Sequence, residues 1–162
     1  MHASFKAFAL LAAVASASAT NFRLEAHVTD FDLTPSVEGQ DIAVDQSTGF
    51  AFLTRRGSGA TFSDSNNSIN TNFTGPTTHI HITPGGTATV PSTNVVTFST
   101  DAGTQGVALE NSVLGFKNGT FTACPANVLG KDENEILISF KSAGQRTLFG
   151  CANVQLQEMQ EA

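Results

Sequence analysis

From Asn21 onward the hydrophobic residues keep a period of two, and this most limits what the chain can fold into. Phe22, Leu24, Ala26 and Val28 occupy alternate positions, with Arg23, Glu25, His27 and Thr29 between them. A strand sends alternate side chains to opposite faces, whereas a helix brings together residues three or four apart. Phe22–Thr29 therefore reads as a half-buried strand. Glu135–Lys141 repeats the pattern, with Ile136, Ile138 and Phe140 on one face and Leu137 and Ser139 on the other. Ala152–Glu158 closes the domain, with Val154 and Leu156 directed inward. No stretch beyond residue 20 keeps a helical spacing long enough to matter, and turn signals recur every ten or so residues. The expectation is an all-β chain of about ten strands with one disulfide. It should form a single antiparallel β-sandwich over residues 20–162, with a closed β-barrel as the alternative.

Between these strands the reading is more local. Gln40–Thr54 looks like a hairpin turning at Asp45–Gly49. Thr78–Thr83 looks like a strand, followed by short strands at Thr87–Val90 and Val95–Ser99 around Pro91. Val107–Cys124 reads as a hairpin about Lys117-Asn118-Gly119, because an Asn-Gly dipeptide tolerates positive φ. Gly144-Gln145 turns into a further short strand at Arg146–Phe149. Ala60–Thr77 is rich in Ser, Asn, Thr and Gly and reads as a long mobile loop, with Phe62, Ile69 and Phe73 as its apolar anchors.

The first nineteen residues have a different character. A short basic start (His2, Lys6), an apolar run over 7–14 and small residues up to Ala19 describe a secretory signal peptide cleaved after Ala19. That run is too short to span a bilayer, and no second one follows, so no membrane insertion is expected. The polar, acidic C-terminal end argues against a lipid anchor added there. Removing Lys6 leaves seven basic against fourteen acidic residues, a net charge of −7. Such a surface repels phosphate backbones, so nucleic acid is not an expected partner. On an oxidising export route the only two cysteines, Cys124 and Cys151, are expected to pair. Three Asn-x-Ser/Thr sequons, at Asn66, Asn72 and Asn118, are candidate N-glycosylation sites.

Catalytic chemistry has little to rest on. His79 and His81 share one face of a strand, a spacing that can supply two metal ligands, with His27 as a third in space. The sequence locates no further ligands or supporting partners, and a solvated polar face explains the pair equally well. Asp30/Asp32, Asp41/Asp45 and Asp132/Glu133/Glu135 are the carboxylate groups that acid–base hydrolysis of a glycoside would draw on. Against that reading, and against a lectin that binds sugar on an aromatic platform, the chain has no Trp and no Tyr, the rings that best stack on sugar faces. Most of its eleven Phe beyond residue 19 fall on inward faces. Gly57-Ser58-Gly59 lacks the spacing of a nucleophile elbow. Arg55-Arg56 reads as a charged strand end, with processing by a basic-pair protease as the rival. No catalytic residue, metal or cofactor is assigned.

Phe121-Thr122-Ala123-Cys124-Pro125, the strand Ile136–Phe140, and Cys151 followed by Val154 and Leu156 carry a likeness. Over Val107–Glu158 the chain resembles small secreted cell-wall and surface antigens of filamentous fungi, the phialide-associated cell-wall proteins and their IgE-binding relatives. The middle, Gln40–Thr100, departs from that pattern. The resemblance implies an extracellular or wall-associated fungal protein, with the paired cysteines carried over as a structural feature and no functional residue. The expected function is a secreted, non-enzymatic cell-surface protein with a structural or adhesive role. Its expected partners are wall polysaccharide or a surface protein. A small secreted effector or ligand-binding module, meeting its partner through the Ala60–Thr77 loop and a sheet edge, is the alternative. A metal-dependent or carboxylate-based enzyme is the third reading.

Overall fold

The computed structural model describes residues 21–160. The expected signal peptide, Met1–Ala19, lies outside the described residues. Those residues form twelve strands: β1 Phe22–Asp30, β2 Asp41–Val44, β3 Ala51–Thr54, β4 Phe62–Ser65, β5 Ser68–Thr71, β6 Thr78–His81, β7 Thr97–Ser99, β8 Ala108–Glu110, β9 Val113–Gly115, β10 Thr120–Pro125, β11 Ile136–Lys141 and β12 Ala152–Gln160. A single 3-10 turn, Ala126–Leu129, is the only helical element among the described residues.

All pairings are antiparallel, and six strands close on themselves in the order β1-β2-β3-β11-β10-β12 and back to β1. Of the two architectures the sequence allows, the molecule takes the closed one. Closure removes the exposed edges that an open sheet of this size would present. The longest pairing joins the first and last strands, from Phe22 opposite Gln160 to Asp30 opposite Asn153, with a bulge near Thr29. β4 to β7 extend the sheet from β1, starting where Phe22 meets Phe62. Their far end returns to the barrel through Phe50 opposite Thr97 and Val95 opposite Ser139. β8 and β9 hang on β12 where Val113 meets Gln157.

Alternation decides where each side chain goes. Phe22, Leu24, Ala26, Phe121, Phe140, Val154 and Leu156 fill one buried core. The opposite faces of β10 and β11 send Cys124 and Leu137 into a second cluster with Leu129 and Cys151, beneath the 3-10 turn. The expected disulfide is present there, Cys124 Sγ to Cys151 Sγ at 2.04 Å.

Three local expectations need correction. Ala60–Thr77 is not a mobile loop, because β4 and β5 form a hairpin within it. Asn66 and Asn67 both take positive φ (53° and 60°), the backbone a tight two-residue turn needs, while Phe62 and Ile69 are fully buried. Val107–Cys124 is not one hairpin. β8 and β9 turn at Asn111-Ser112 (φ 53° and 65°), a second turn at Lys117-Asn118 (φ 47° and 57°) leads to β10, and β12 lies between β9 and β10. The apolar alternation of Val154 and Leu156 suits β12 to that central place. Thr87–Val90 and Arg146–Phe149 are not strands; the first is a turn closed by Thr87 N–H donating to Val90 O at 2.7 Å.

Candidate functional site

The loop after β1 is shaped by one carboxylate. Asp32 Oδ1 accepts the amides of Leu33 (2.7 Å) and Val37 (3.2 Å), and Oδ2 accepts the Ser36 hydroxyl. The Ser36 hydrogen bond, then those backbone amides, hold the Asp32 carboxyl below its ordinary range. Fixed this way, the loop sets Phe31 at φ 59°, a left-handed backbone unusual for a bulky residue. The Phe31 ring is 60% exposed.

Across from it stands the loop before β12. Cys151 N–H donates to Leu148 O at 3.0 Å, and the disulfide ties Cys151 to β10. Leu148 packs against the disulfide cluster, Leu33 against the barrel core. Phe149, the next residue after Leu148, is 96% exposed. Phe31, Leu33, Leu148, Phe149 and Arg146 thus line one groove of about 390 Å3. Two apolar rings flank it, and the Arg146 guanidinium makes no hydrogen bond or ion pair within the described residues. The arrangement can hold a flat, partly apolar ligand and hydrogen-bond its polar edge.

A second depression of about 490 Å3 opens where β9 and β10 part over β12. Thr29, Glu110, Asn111, Thr120 and Gln155 supply its polar groups, and Gly115 and Gly119 its low walls.

The supposed outer face of β1 is not a solvated face. Glu25 is 3% exposed and Asp41 fully buried. Arg23 Nη1 donates to Asp41 Oδ2 at 2.7 Å, and the amides of Gly57 (2.9 Å) and Gly59 (3.2 Å) donate to the same oxygen. Arg56 reaches Glu25 at 3.2 Å and the carbonyl of Gly39 at 3.2 Å. His27 Nδ1 meets Glu38 Oε2 at 2.8 Å; its Nε2 lies 3.1 Å from Glu25 Oε1 but out of line for a hydrogen bond. This cluster clamps two loops onto β1 and β2, and it engages the second arginine of the Arg55-Arg56 pair.

The other candidates fall apart in space. His79 Nδ1 bonds Asn70 Oδ1, and His81 Nε2 bonds the Ser99 hydroxyl at 2.9 Å, while His27 belongs to the clamp. Among the described residues no three His, Cys, Asp or Glu side chains are placed to hold a metal ion. Asp45 caps its own turn by accepting from Ser47 and Thr48, which holds its carboxyl low. Burial, then the charges of Asp45 and Glu133, raise the Glu135 carboxyl. Asp30 accepts the Phe31 amide. Asp30, Asp32 and Asp45 are thus engaged by their own turns and Asp41 by the clamp; Asp132 is exposed, while Glu133 and Glu135 are half-buried and close enough for the charge of one to raise the carboxyl of the other. Asn66, Asn72 and Asn118 are all exposed, in or beside turns.

The sequence reading missed Phe31 and Phe149 by assigning most phenylalanines to the core. The signal was present in their neighbours: Asp30 and Asp32 bracket one ring, and Gly150-Cys151 follows the other. A protein-family model described as a domain of unknown function, DUF7907, matches residues 19–159. The chain belongs to this family. No curated protein and no solved structure matches it. The DUF7907 match takes in the whole barrel except the last residue of β12. Both depressions therefore lie within the family domain.

Proposed function

We propose that this DUF7907 domain is a secreted, non-enzymatic cell-surface or cell-wall protein with an adhesive role, holding wall polysaccharide in the Phe31–Phe149 groove. The observation that carries this reading is the pair of phenylalanine rings held out into solvent by two fixed loops. Exposed rings of this size are costly to leave in water unless something covers them. One loop is fixed by Asp32, the other by the disulfide, so little order is lost when a ligand binds. The leader-like first nineteen residues and the three exposed sequons support an exported protein.

The test is a pull-down of purified mature protein on chitin, β-glucan and mannan. Retention on one of them, lost in Phe31→Ala and Phe149→Ala, is the expected result. Free passage of the unaltered protein over all three overturns the proposal.

A further inference from the structure

We infer that the aromatic groove and the depression between β9 and β10 form one track, and that its ligand is an extended, uncharged oligosaccharide rather than a single sugar. This inference rests on the polysaccharide reading above.

The two depressions share the same corner of the barrel. Thr29, near the end of β1, lines one and Phe31, in the loop just after it, lines the other; on the facing chain, Val154 lines one and Cys151 the other. Between them lies the end of the β1–β12 pairing, where Asp30 stands opposite Asn153, the Thr29 hydroxyl donates to Asn153 O at 3.3 Å and the Thr147 hydroxyl donates to Asn153 Oδ1 at 2.9 Å. Two residues of chain span about 7 Å at most. The boundary is therefore narrow, and a chain-like ligand leaving the phenylalanine groove enters the second depression directly.

The chemistry along this track is that of a hydroxyl-rich, uncharged chain. One end offers apolar rings for sugar faces. The other offers Asn111, Thr120 and Gln155, whose side chains are unengaged among the described residues apart from a long 3.5 Å contact from Gln157 to Gln155. Amides and hydroxyls both donate and accept, which suits hydroxyl partners and serves an ionic ligand poorly. Net charge argues the same way. The chain carries −6 overall, which disfavours a polyanion. The track's own charges, Asp32, Glu110 and Arg146, are of mixed sign and do not form a patch for a polycation.

The experiment is calorimetric titration of the secreted protein with chitin- and β-glucan-derived oligosaccharides, from dimer to octamer. The variants are Phe149→Ala in the groove and Asn111→Ala with Gln155→Ala in the second depression. Both second-depression residues are exposed; Asn111 sits at φ 53°, where alanine is strained, so the thermal midpoint drops slightly and a cooperative unfolding transition checks that the variants fold. The expected result is affinity that rises about tenfold or more with length and then levels off. Asn111→Ala/Gln155→Ala should weaken the longest oligomers about fivefold or more and leave the dimer unchanged. Phe149→Ala should weaken every length. Affinity independent of length, or long oligomers indifferent to the second-depression variant, overturns the track while the groove reading stands. Tighter, salt-sensitive binding of a deacetylated, cationic oligomer overturns the uncharged class. Absence of binding to any oligomer, joined to free passage over the polymers, overturns both readings.

Discussion

Arg23 Nη1 lies 2.7 Å from Asp41 Oδ2, and that carboxylate, with no exposed surface, also receives the amides of Gly57 and Gly59. One buried charge therefore ties β1, β2 and the loop after β3 together. Asp41→Ala leaves the arginine and two amides without their acceptor. Urea unfolding should show a loss of about 3–5 kcal/mol, the usual cost of removing one partner of a buried pair. A loss under 1 kcal/mol would mean that water takes over the role of the carboxylate.

Cys124 and Cys151 are 27 residues apart in sequence. Closing a loop of that length stabilises the fold by about 3.5 kcal/mol in the chain-entropy model. The double replacement Cys124→Ala/Cys151→Ala should lower the unfolding free energy by that order. It should also loosen the Leu148–Gly150 loop, read as faster exchange of the backbone amide at position 151, which donates to Leu148 O.

Folding lowers the Asp32 carboxyl, so its contribution is complete above the ordinary aspartate value of about 3.9 and fades as pH falls through the lowered one. Amide exchange at Leu33 and Val37 reads this directly, since both donate to Asp32. Protection should persist at pH 6 and decline only in strong acid. In Asp32→Ala it should be absent at both, with polysaccharide retention reduced as Phe31 loses its fixed position.

Glu135 behaves in the opposite sense. Burial and the neighbouring charges of Asp45 and Glu133 raise its carboxyl, so the native state prefers it protonated and loses stability as pH rises through that raised value. Glu135→Gln should be slightly more stable than the unaltered protein at pH 7. The difference should vanish below about pH 4, where the glutamate is neutral as well. Thermal unfolding at the two pH values checks both sign and window.

The three sequon asparagines are exposed, at Asn66, Asn72 and Asn118. Enzymatic release of N-glycans in heavy-oxygen water, followed by peptide mass spectrometry, should convert each to labelled aspartate. An unlabelled site is an unoccupied one.

The sequence by itself determined the strands whose pattern is local. The alternation of Phe22, Leu24, Ala26 and Val28 places β1 because side-chain period is a property of a few consecutive residues. The cysteine pair followed from there being only two, and the Gln40–Thr54 hairpin from the turn chemistry of Asp45. Tertiary structure decided what depends on distant partners. Glu25 looks solvent-facing in sequence, yet Arg56 reaches it from one loop and His27, held by Glu38 of another, lies beside it. β12 separates β9 from β10 because strand pairing is a competition among all apolar strands, not only neighbours in the chain. Phe31 and Phe149 resemble core residues by type. A capped loop and a disulfide-anchored one turn them outward, and neither constraint can be read from the rings themselves.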